Sequence, residues 1–335
     1  VLDHIIADGI SVAILTQEFA RLYAAEIRGQ APNLLPLEFQ YVDYAEWIRQ
    51  ELADGAMARH LAYWKERLAG MAPVLPLPLD FRRPEEQTLC GDRKGIWLPD
   101  QLTSALRALA RSEGVTLYMA LLGVFQLMLA RHCGVTDIPV GTVVANRNRP
   151  EAEPMVGFFV NNLVMRGDLS ADPTVKGLLQ RTRKMALEAY AHQEMPFDSL
   201  VEALKLPRQL AVPPLFQVML VLHGAMAAKV SLPEATLETV ELPQKAARFD
   251  LAVDIFDTAG RLRIYFEYNT DLFRPETIDQ LMDHYQRLLG EAASHPERRI
   301  SDLPMLSSAE LMQLSTLERG AVEAAWPQGV FISAF

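Results

Sequence analysis

Apolar positions along the chain repeat at two periods, and segments of the two kinds alternate. SVAILTQEFARLYAAEIRG (11–29) sets Val12, Leu15, Phe19, Leu22 and Tyr23 on one face at helical spacing, with Gly29 placed to end the helix. YVDYAEWIRQEL (41–52) and ARHLAYWKERL (58–68) predict two further helices. In APVLPLPLDFRRPEEQ (72–87) each proline disfavours helix at the residue before it, so this stretch is extended and is the best linker in the chain. A strand over 92–99, helices over 100–112 and 116–132, strands over 137–147 and 157–166 and a long helix over 173–191 follow. Late strands cover 215–222, 249–257 and 261–269. In the last, Leu262, Ile264, Phe266 and Tyr268 alternate with Arg263, Tyr265 and Glu267, the pattern of a sheet with one buried face. A helix over 275–294 closes the series. The order predicts a mixed α/β protein whose largely non-parallel sheet is flanked by helices. No G-x-G-x-x-G or P-loop is present, which removes a doubly wound nucleotide fold.

Composition narrows the function classes. Half of the 335 residues are apolar and 22% are charged, ample for a buried core. A net charge of −10 argues against a nucleic-acid partner, which needs a basic face for phosphates. Cys90 and Cys133 fit neither a disulfide framework nor zinc spacing, so a reducing, cytoplasmic setting is expected. The longest apolar run, LYMALLGVFQLMLA (117–130), is interrupted by Gln126 and is shorter than the ~20 residues a membrane span needs. A buried helix is therefore expected there, with no membrane role. His60, His132, His223, His284 and His295 form no metal-like cluster with acidic neighbours, and no metal is expected.

VLDHIIADGIS (1–11) carries the candidate chemistry. It reads both as H-x-x-x-D-G, through His4, Asp8 and Gly9, and as D-x-x-x-x-D-x-x-S, through Asp3, Asp8 and Ser11. DHIIADG, YVDYAEW, VGFFVNNLVMR, HQEMPFDSLVEAL and PLFQVML occur in that order. Together they resemble the condensation domain of non-ribosomal peptide synthetases. GTVVANRNRPE, RFDLAV and FEYNTDLF agree with that family too, so the resemblance covers nearly the whole chain. It implies a V of two chloramphenicol-acetyltransferase-like lobes with a tunnel between them, the first lobe incomplete here. Residues 1–78 would be the end of the first lobe, 79–306 the second lobe and 307–335 a linker toward an adenylation domain. Val1 falling within a strand and the absence of a stop after Phe335 suggest a piece of a longer polypeptide. Little activity would be expected from this piece alone, with exposed apolar surface around 1–30.

The resemblance implies amide formation between an upstream aminoacyl or peptidyl thioester and the amine of a downstream aminoacyl thioester. Both would be borne by the 4′-phosphopantetheine arms of donor and acceptor peptidyl carrier proteins, with no cofactor bound directly. The family motif has two histidines. The second, assigned to catalysis, is His4; the first is replaced by Asp3. An imidazole (pKa ~6.5) facing an α-ammonium (pKa ~8) can take its proton at small cost. It can equally hold the amine in line, and alignment is potentially the larger contribution, since effective molarities reach ~10⁵–10⁸ M against ~10²–10⁴-fold for a general base. Neighbours in a strand point to opposite faces, so Asp3 is expected to affect packing more than titration.

For Asp8 the resemblance implies a structural ion pair with an arginine, either Arg147 or Arg166. Gly9 is expected either to supply a backbone angle or close approach that a Cβ would block, or to be an ordinary turn glycine. Ser11, Gly157, Asn161 and Asn162 are expected to line the tunnel or meet the pantetheine arm. Tyr41, Tyr44 and Trp47 form an aromatic helix face expected in a core, and His192 is expected to serve a turn. In LPRQLAVPPLFQV, Val212 and Pro213 replace a polar pair of the family's pattern. VGFFVNN and DGIS most resemble domains joining an L-configured donor to an L-configured acceptor.

Three other readings remain open. The D-x-x-x-x-D-x-x-S match resembles heterocyclization domains, although the rest of the chain lacks their G-D-F-T stretch. An epimerization domain would need a glutamate-bearing motif where VGFFVNN stands. A catalytically idle docking platform fits the changed Asp3 and is opposed by the retained His4.

Overall fold

The computed structural model describes residues 2–206, 209–224, 229–238, 240 and 245–319. Three helices come first: α1 (Gly9–Ile27), α2 (Tyr41–Ala53) and α3 (Ala58–Leu68). Then follow β1 (Gly91–Trp97), α4 (Asp100–Ser112), α5 (Leu117–Cys133), β2 (Asp137–Val144), β3 (Asn161–Asp168), α6 (Val175–Tyr190) and α7 (Phe197–Leu204). The chain continues through β4 (Val218–His223), β5 (Lys229–Leu232), β6 (Ala235–Glu238), β7 (Leu251–Thr258), β8 (Arg261–Asn269), α8 (Pro275–Ser294) and α9 (Ser308–Arg319). Six strands form one mixed sheet in the order β1-β8-β7-β4-β2-β3, and β5-β6 is a separate antiparallel hairpin. The β2·β4 and β4·β7 pairs are parallel; β1·β8, β7·β8 and β2·β3 are antiparallel. The expected mixed sheet flanked by helices is thus present.

One face of the sheet is the core. Leu262, Ile264 and Phe266 of β8 are fully buried, and Tyr285 of α8 packs edge-on against Phe266 and Phe125. The α5 helix begins at Thr116, whose hydroxyl accepts from Met119 N–H, and ends at Gly134 in the left-handed region. Its residues 119–129 are all buried, so the apolar run is a core helix. Among the described residues no single helix is long and apolar enough to cross a membrane.

The polar interruption has a purpose. Gln126 Nε2 donates to the carbonyls of Ile138 (3.1 Å) and Met165 (2.8 Å), bridging α5 to β2 and β3. Gly167 makes room, because a Cβ there would lie 2.5 Å from the Gln126 amide oxygen.

Over β1, β8, β7 and the end of β4 the opposite face is polar and aromatic. Arg93 lies 3.8 Å over Tyr265, and His223 stacks on Phe256 while bonding Asp254 at 2.6 Å.

Segments before β1 are tied to this body unequally. In α3, His60, Trp64 and Leu68 are buried at four-residue spacing, and Trp64 Nε1 donates to the His192 carbonyl at 3.0 Å. Met57, Trp64, Leu68 and Leu75 join the same core cluster as the sheet, so a boundary at 78/79 would cut through packed residues. The proline-rich stretch is a strap: Gln217 bonds Leu75 N–H and the Pro73 carbonyl, and Arg83 forms a bidentate pair with the buried Asp250.

By contrast α1 buries only Ser11. Its predicted apolar face is largely exposed, and Leu2, Ile5, Ile6, Phe19 and Ile27 give the expected apolar surface around 1–30.

At the other end, Glu310 of α9 accepts from His284 Nε2 at 2.8 Å, and His284 Nδ1 meets His132 Nε2 at 3.0 Å. Residues 320–335, the rest of the expected connector, and Pro207 and Arg208 lie outside the described residues.

The elements fall close to their predicted spans, with particular differences. The 157–166 strand starts only at Asn161, because the backbone of 157–159 is bonded elsewhere, as described below. Neither α7, α9 nor the β5-β6 hairpin is foreseen. Residues 2–3 are not in a strand, and Asp3 to Ile6 form a turn closed by Ile6 N–H donating to the Asp3 carbonyl at 3.2 Å.

Gly141 of β2 tests the packing. A Cβ there would sit 2.1 Å from the ring of Phe216, which is fully buried. Gly141→Ala should destabilise the fold by about 1–3 kcal/mol, the usual range for over-packing. A lower urea midpoint would report it, with partial recovery in Gly141→Ala/Phe216→Leu.

Candidate active site

The H-x-x-x-D-G loop leads directly into α1, and its aspartate is the helix cap. Asp8 has extended backbone angles and its Oδ1 accepts from Ser11 N–H at 2.7 Å, satisfying one of the orphan donors of the first turn. The same carboxylate is bound across 139 residues of sequence by Arg147, whose Nη2 lies 3.0 Å from Oδ1 and 3.2 Å from Oδ2. Phe159 N–H donates to Oδ2 at 3.2 Å. Both partners of the ion pair are almost wholly buried, with side-chain exposures of 4% and 0%. Burial opposes ionisation of Asp8, but the bonds from Ser11, Arg147 and Phe159 outweigh it and hold the carboxyl below the usual range.

Ser11 completes the lock. Its hydroxyl accepts from Gly157 N–H (3.0 Å) and from Arg147 Nη2 (2.9 Å). Two acceptors, Asp8 Oδ1 and the Gly157 carbonyl, each lie 2.8 Å away, and one hydroxyl proton serves one of them at a time. The Gly157 carbonyl also receives Asp8 N–H at 3.1 Å. Arg147 uses its other terminal nitrogen on the carbonyls of Ala152 (2.6 Å) and Met155 (2.7 Å), and its guanidinium lies 4.0 Å over the Phe159 ring.

Of the two arginines open for Asp8, the structure selects Arg147. Arg166 instead pairs with Asp137 (2.7 Å) and donates to the carbonyls of Arg67 and Ala69, capping the end of α3.

Other expectations are corrected. Gly9 has neither a left-handed backbone nor a neighbour within 4 Å of a built Cβ, so neither reason for a glycine applies. Gly157 does need to be glycine: a Cβ would lie 2.1 Å from the Tyr41 ring. Ser11, fully buried, and Gly157, with both backbone groups bonded, hold the loop rather than line a channel. The Asn161 amide donates to the carbonyls of Gln193 and Met195 and accepts from Phe197 N–H at 3.0 Å. It supplies the cap that Pro196 cannot give α7. Asn162 is half-buried and pairs with Val143 in the β2·β3 ladder. The aromatic face of α2 does pack on a core, as expected, but on a small separate one of Ala152, Met155 and Phe159. Tyr41 and Tyr44 pack around the buried Phe159, and Arg149 lies 3.8 Å over Trp47. His192 stacks on Tyr63 at 4.0 Å and meets His60 Nδ1 at 3.1 Å. Among the described residues no cluster could hold a metal ion.

His4 stands at the edge of this lock. It is exposed, and its Nδ1 lies 2.9 Å from the Ala7 carbonyl. A carbonyl only accepts, so Nδ1 carries a hydrogen, and in the neutral ring Nε2 keeps its lone pair. Phe158, neighbour of Gly157, meets the imidazole edge-on at 5.1 Å and 83°. Asp3 uses its carboxylate within the turn, where Oδ1 accepts from Ile5 N–H at 3.0 Å. The arrangement offers an oriented, accessible proton acceptor. Sequence reasoning named Asp8, Ser11, Arg147 and Gly157; it placed Tyr41 in an aromatic helix face without linking it to the loop, and gave no role to Phe158, the Phe159 amide or the Ala152 and Met155 carbonyls.

A mixed sheet flanked by helices, with an H-x-x-x-D-G loop locked to it by a buried Asp–Arg pair, defines a member of the chloramphenicol-acetyltransferase-like α/β class. Within that class the chain belongs to the Condensation domain family, whose profile matches residues 2–315. It is 43% identical over 315 residues to a linear gramicidin synthase polypeptide of Brevibacillus parabrevis, covering 93% of this chain and 4% of that protein. With surfactin synthase subunit 1 of Bacillus subtilis (strain 168) it shares 39% identity over 309 residues, 92% of this chain and 8% of the relative. The chain thus spans a small fraction of the curated relatives it matches. A solved complex of the X-domain and OxyB from teicoplanin biosynthesis superposes with a TM-score of 0.80 at 30% identity, covering 91% of this chain and 69% of that one. A four-domain nonribosomal peptide synthetase bound to AMP and glycine matches in fold, with a TM-score of 0.82 at 23% identity, over 91% of this chain and 24% of that one.

Removing one partner of the lock should be costly. Arg147→Ala leaves a buried carboxylate unpaired and should destabilise the protein by about 3–5 kcal/mol in denaturant melts. The pH dependence follows from the depressed value of Asp8. Its contribution is complete above the unfolded carboxyl pKa of ~3.9 and is lost as pH falls through the lower folded value. The stability gap between wild type and Asp8→Asn should therefore be constant near neutrality and shrink below about pH 4.

Proposed function

We propose that the chain carries out the condensation step of a non-ribosomal peptide synthetase, joining two carrier-borne thioesters through an amide. The observation that supports this most directly is the state of His4: exposed, tethered through Nδ1 and presenting Nε2. In this reading the α-amine of the acceptor attacks the donor thioester carbonyl. A C–N bond forms, the C–S bond breaks, and His4 Nε2 takes or steers the proton that the nitrogen gives up. The departing thiolate receives a proton, and the lengthened peptide remains on the acceptor carrier. The thioester supplies the driving force.

The pantetheine arms belong to donor and acceptor peptidyl carrier proteins, and an adenylation domain following in the same polypeptide is the natural supplier of the acceptor. Division into two lobes is part of the reading, with the boundary moved before Met57 because α3 packs into the second body. The heterocyclization match loses weight, since two of its three residues, Asp8 and Ser11, are accounted for by helix capping and the lock.

A second reading has one observation in its favour. A neighbour at 30% identity is a domain solved in complex with another protein, which suits a docking platform. One experiment separates the two. The intact domain within its module is mixed with two loaded carriers, and dipeptidyl thioester is followed by mass spectrometry. His4→Ala should lower product formation by ~10²–10⁴-fold if the ring moves a proton. Equal product from wild type and variant would remove His4 from the reaction, and no product from either would favour docking.

A further inference from the structure

Gly157, Phe158 and Phe159 are held in place almost atom by atom. Gly157 is bonded through both N–H and carbonyl to the Asp8–Ser11 loop, and the Tyr41 ring lies where its Cβ would be. The Phe158 carbonyl accepts from Tyr41 Oη at 2.7 Å. Phe159 gives its N–H to Asp8 and buries its ring between Arg147, Tyr41 and Tyr44. Within this fixed tripeptide the Phe158 side chain is the one left partly open, at 37% exposure for the residue, and the ring it meets is that of His4.

The two rings grow from segments joined to each other. Asp8 N–H donates to the Gly157 carbonyl, one residue from each ring's own anchor: Ala7 O holds His4, and Phe158 follows Gly157. The two side-chain torsions of His4 are restrained on one edge of the ring by the hydrogen bond from Nδ1 to the Ala7 carbonyl. The edge-on contact with Phe158 is a second restraint on the same torsions, and it comes from the fixed tripeptide.

We propose that Phe158 is a positioning residue that sets the plane of the His4 imidazole, and hence the direction of its Nε2 lone pair, with Tyr41 bracing Phe158 from α2. The proposal rests on the reading of His4 as the group that handles the amine. Placement at this level matters for rate, because a displacement of ~1 Å at a reacting group can cost ~10²-fold. It also assigns purpose to two motifs that the chemistry of His4 leaves unused, YVDYAEW and VGFFVNN: the tyrosine of the first holds the aromatic of the second.

The test uses the complete domain in its module with loaded carriers, in wild type, Phe158→Ala, Phe158→Tyr, Tyr41→Phe and His4→Ala. Phe158→Ala should lower kcat by about 10–100-fold with KM for the acceptor carrier changed much less. Phe158→Tyr, which keeps the ring, should restore most of the rate, and Tyr41→Phe should give a smaller loss in the same direction. The second readout does not depend on turnover. In long-range ¹H–¹⁵N spectra of the histidine rings, the His4 signals are identified by their disappearance in His4→Ala. They should shift in Phe158→Ala as the ring current of Phe158 is lost, and return toward wild type in Phe158→Tyr. Unmoved His4 signals, or kcat within twofold of wild type in Phe158→Ala while His4→Ala is inactive, overturn the proposal. If His4→Ala turns over as wild type, the functional reading fails, and the spectra alone then decide whether Phe158 positions the ring.

Discussion

A carboxylate buried almost completely against a single guanidinium is the constraint on which the site depends. Asp8 and Arg147 come from distant parts of the chain, the entry to α1 and the loop after β2, and neither charge has bulk water to turn to. Such a pair is poor evidence for stability in itself, since desolvating two ions is expensive. Its value here is geometric. Each oxygen of Asp8 is bonded, each terminal nitrogen of Arg147 is bonded, and Ser11 joins both, so displacing any one member leaves another unsatisfied. The catalytic imidazole of the proposed reaction is four residues away from that carboxylate and inherits its fixed position.

Positions in this molecule where an amino acid breaks the local pattern turn out to be joints between elements. Gln126 interrupts an apolar helix and ties it to two strands. Asn161 opens a strand and caps a helix that starts with proline. Arg166 lies in a strand and closes the end of α3. Each is a polar group that satisfies backbone groups of a second element and so ties two parts of the fold together.

Much of this was legible beforehand, and the reason differs by residue. Periodicity carried α3, α4, β8 and α8, because each has one face against the core, while α5, buried all round, was legible from its continuous apolar run. It was misleading for 157–160, where apolar residues in extended backbone look like a strand but bond to a loop far away in sequence. The α7 helix was hidden by a cap supplied from elsewhere in the chain. His4, Asp8, Ser11 and Arg147 were recognisable through the ordered motifs; what could not be read was which arginine answered Asp8. Both candidates stand near the end of an apolar strand-like stretch, and the choice depends on Asp137 lying close to Arg166 across the β2·β3 ladder. Gly9 and Gly157 show the same limit from the other side: two glycines in two motifs, of which only the second has a ring pressed against it.

The chemistry of the lock also bears on recombination between related chains. A crossover anywhere between residues 54 and 56 brings α1 and α2 from one parent and the sheet with its loops from another. What must then fit across the seam is main-chain hydrogen bonding at Gly157, Phe158 and Phe159 and, with it, a set of side-chain pairs: Arg147 on Asp8, Tyr41 and Tyr44 around Phe159, and Arg149 over Trp47. The main chain is common to every parent, but these pairs are not, so the junction suits parents that keep both members of each.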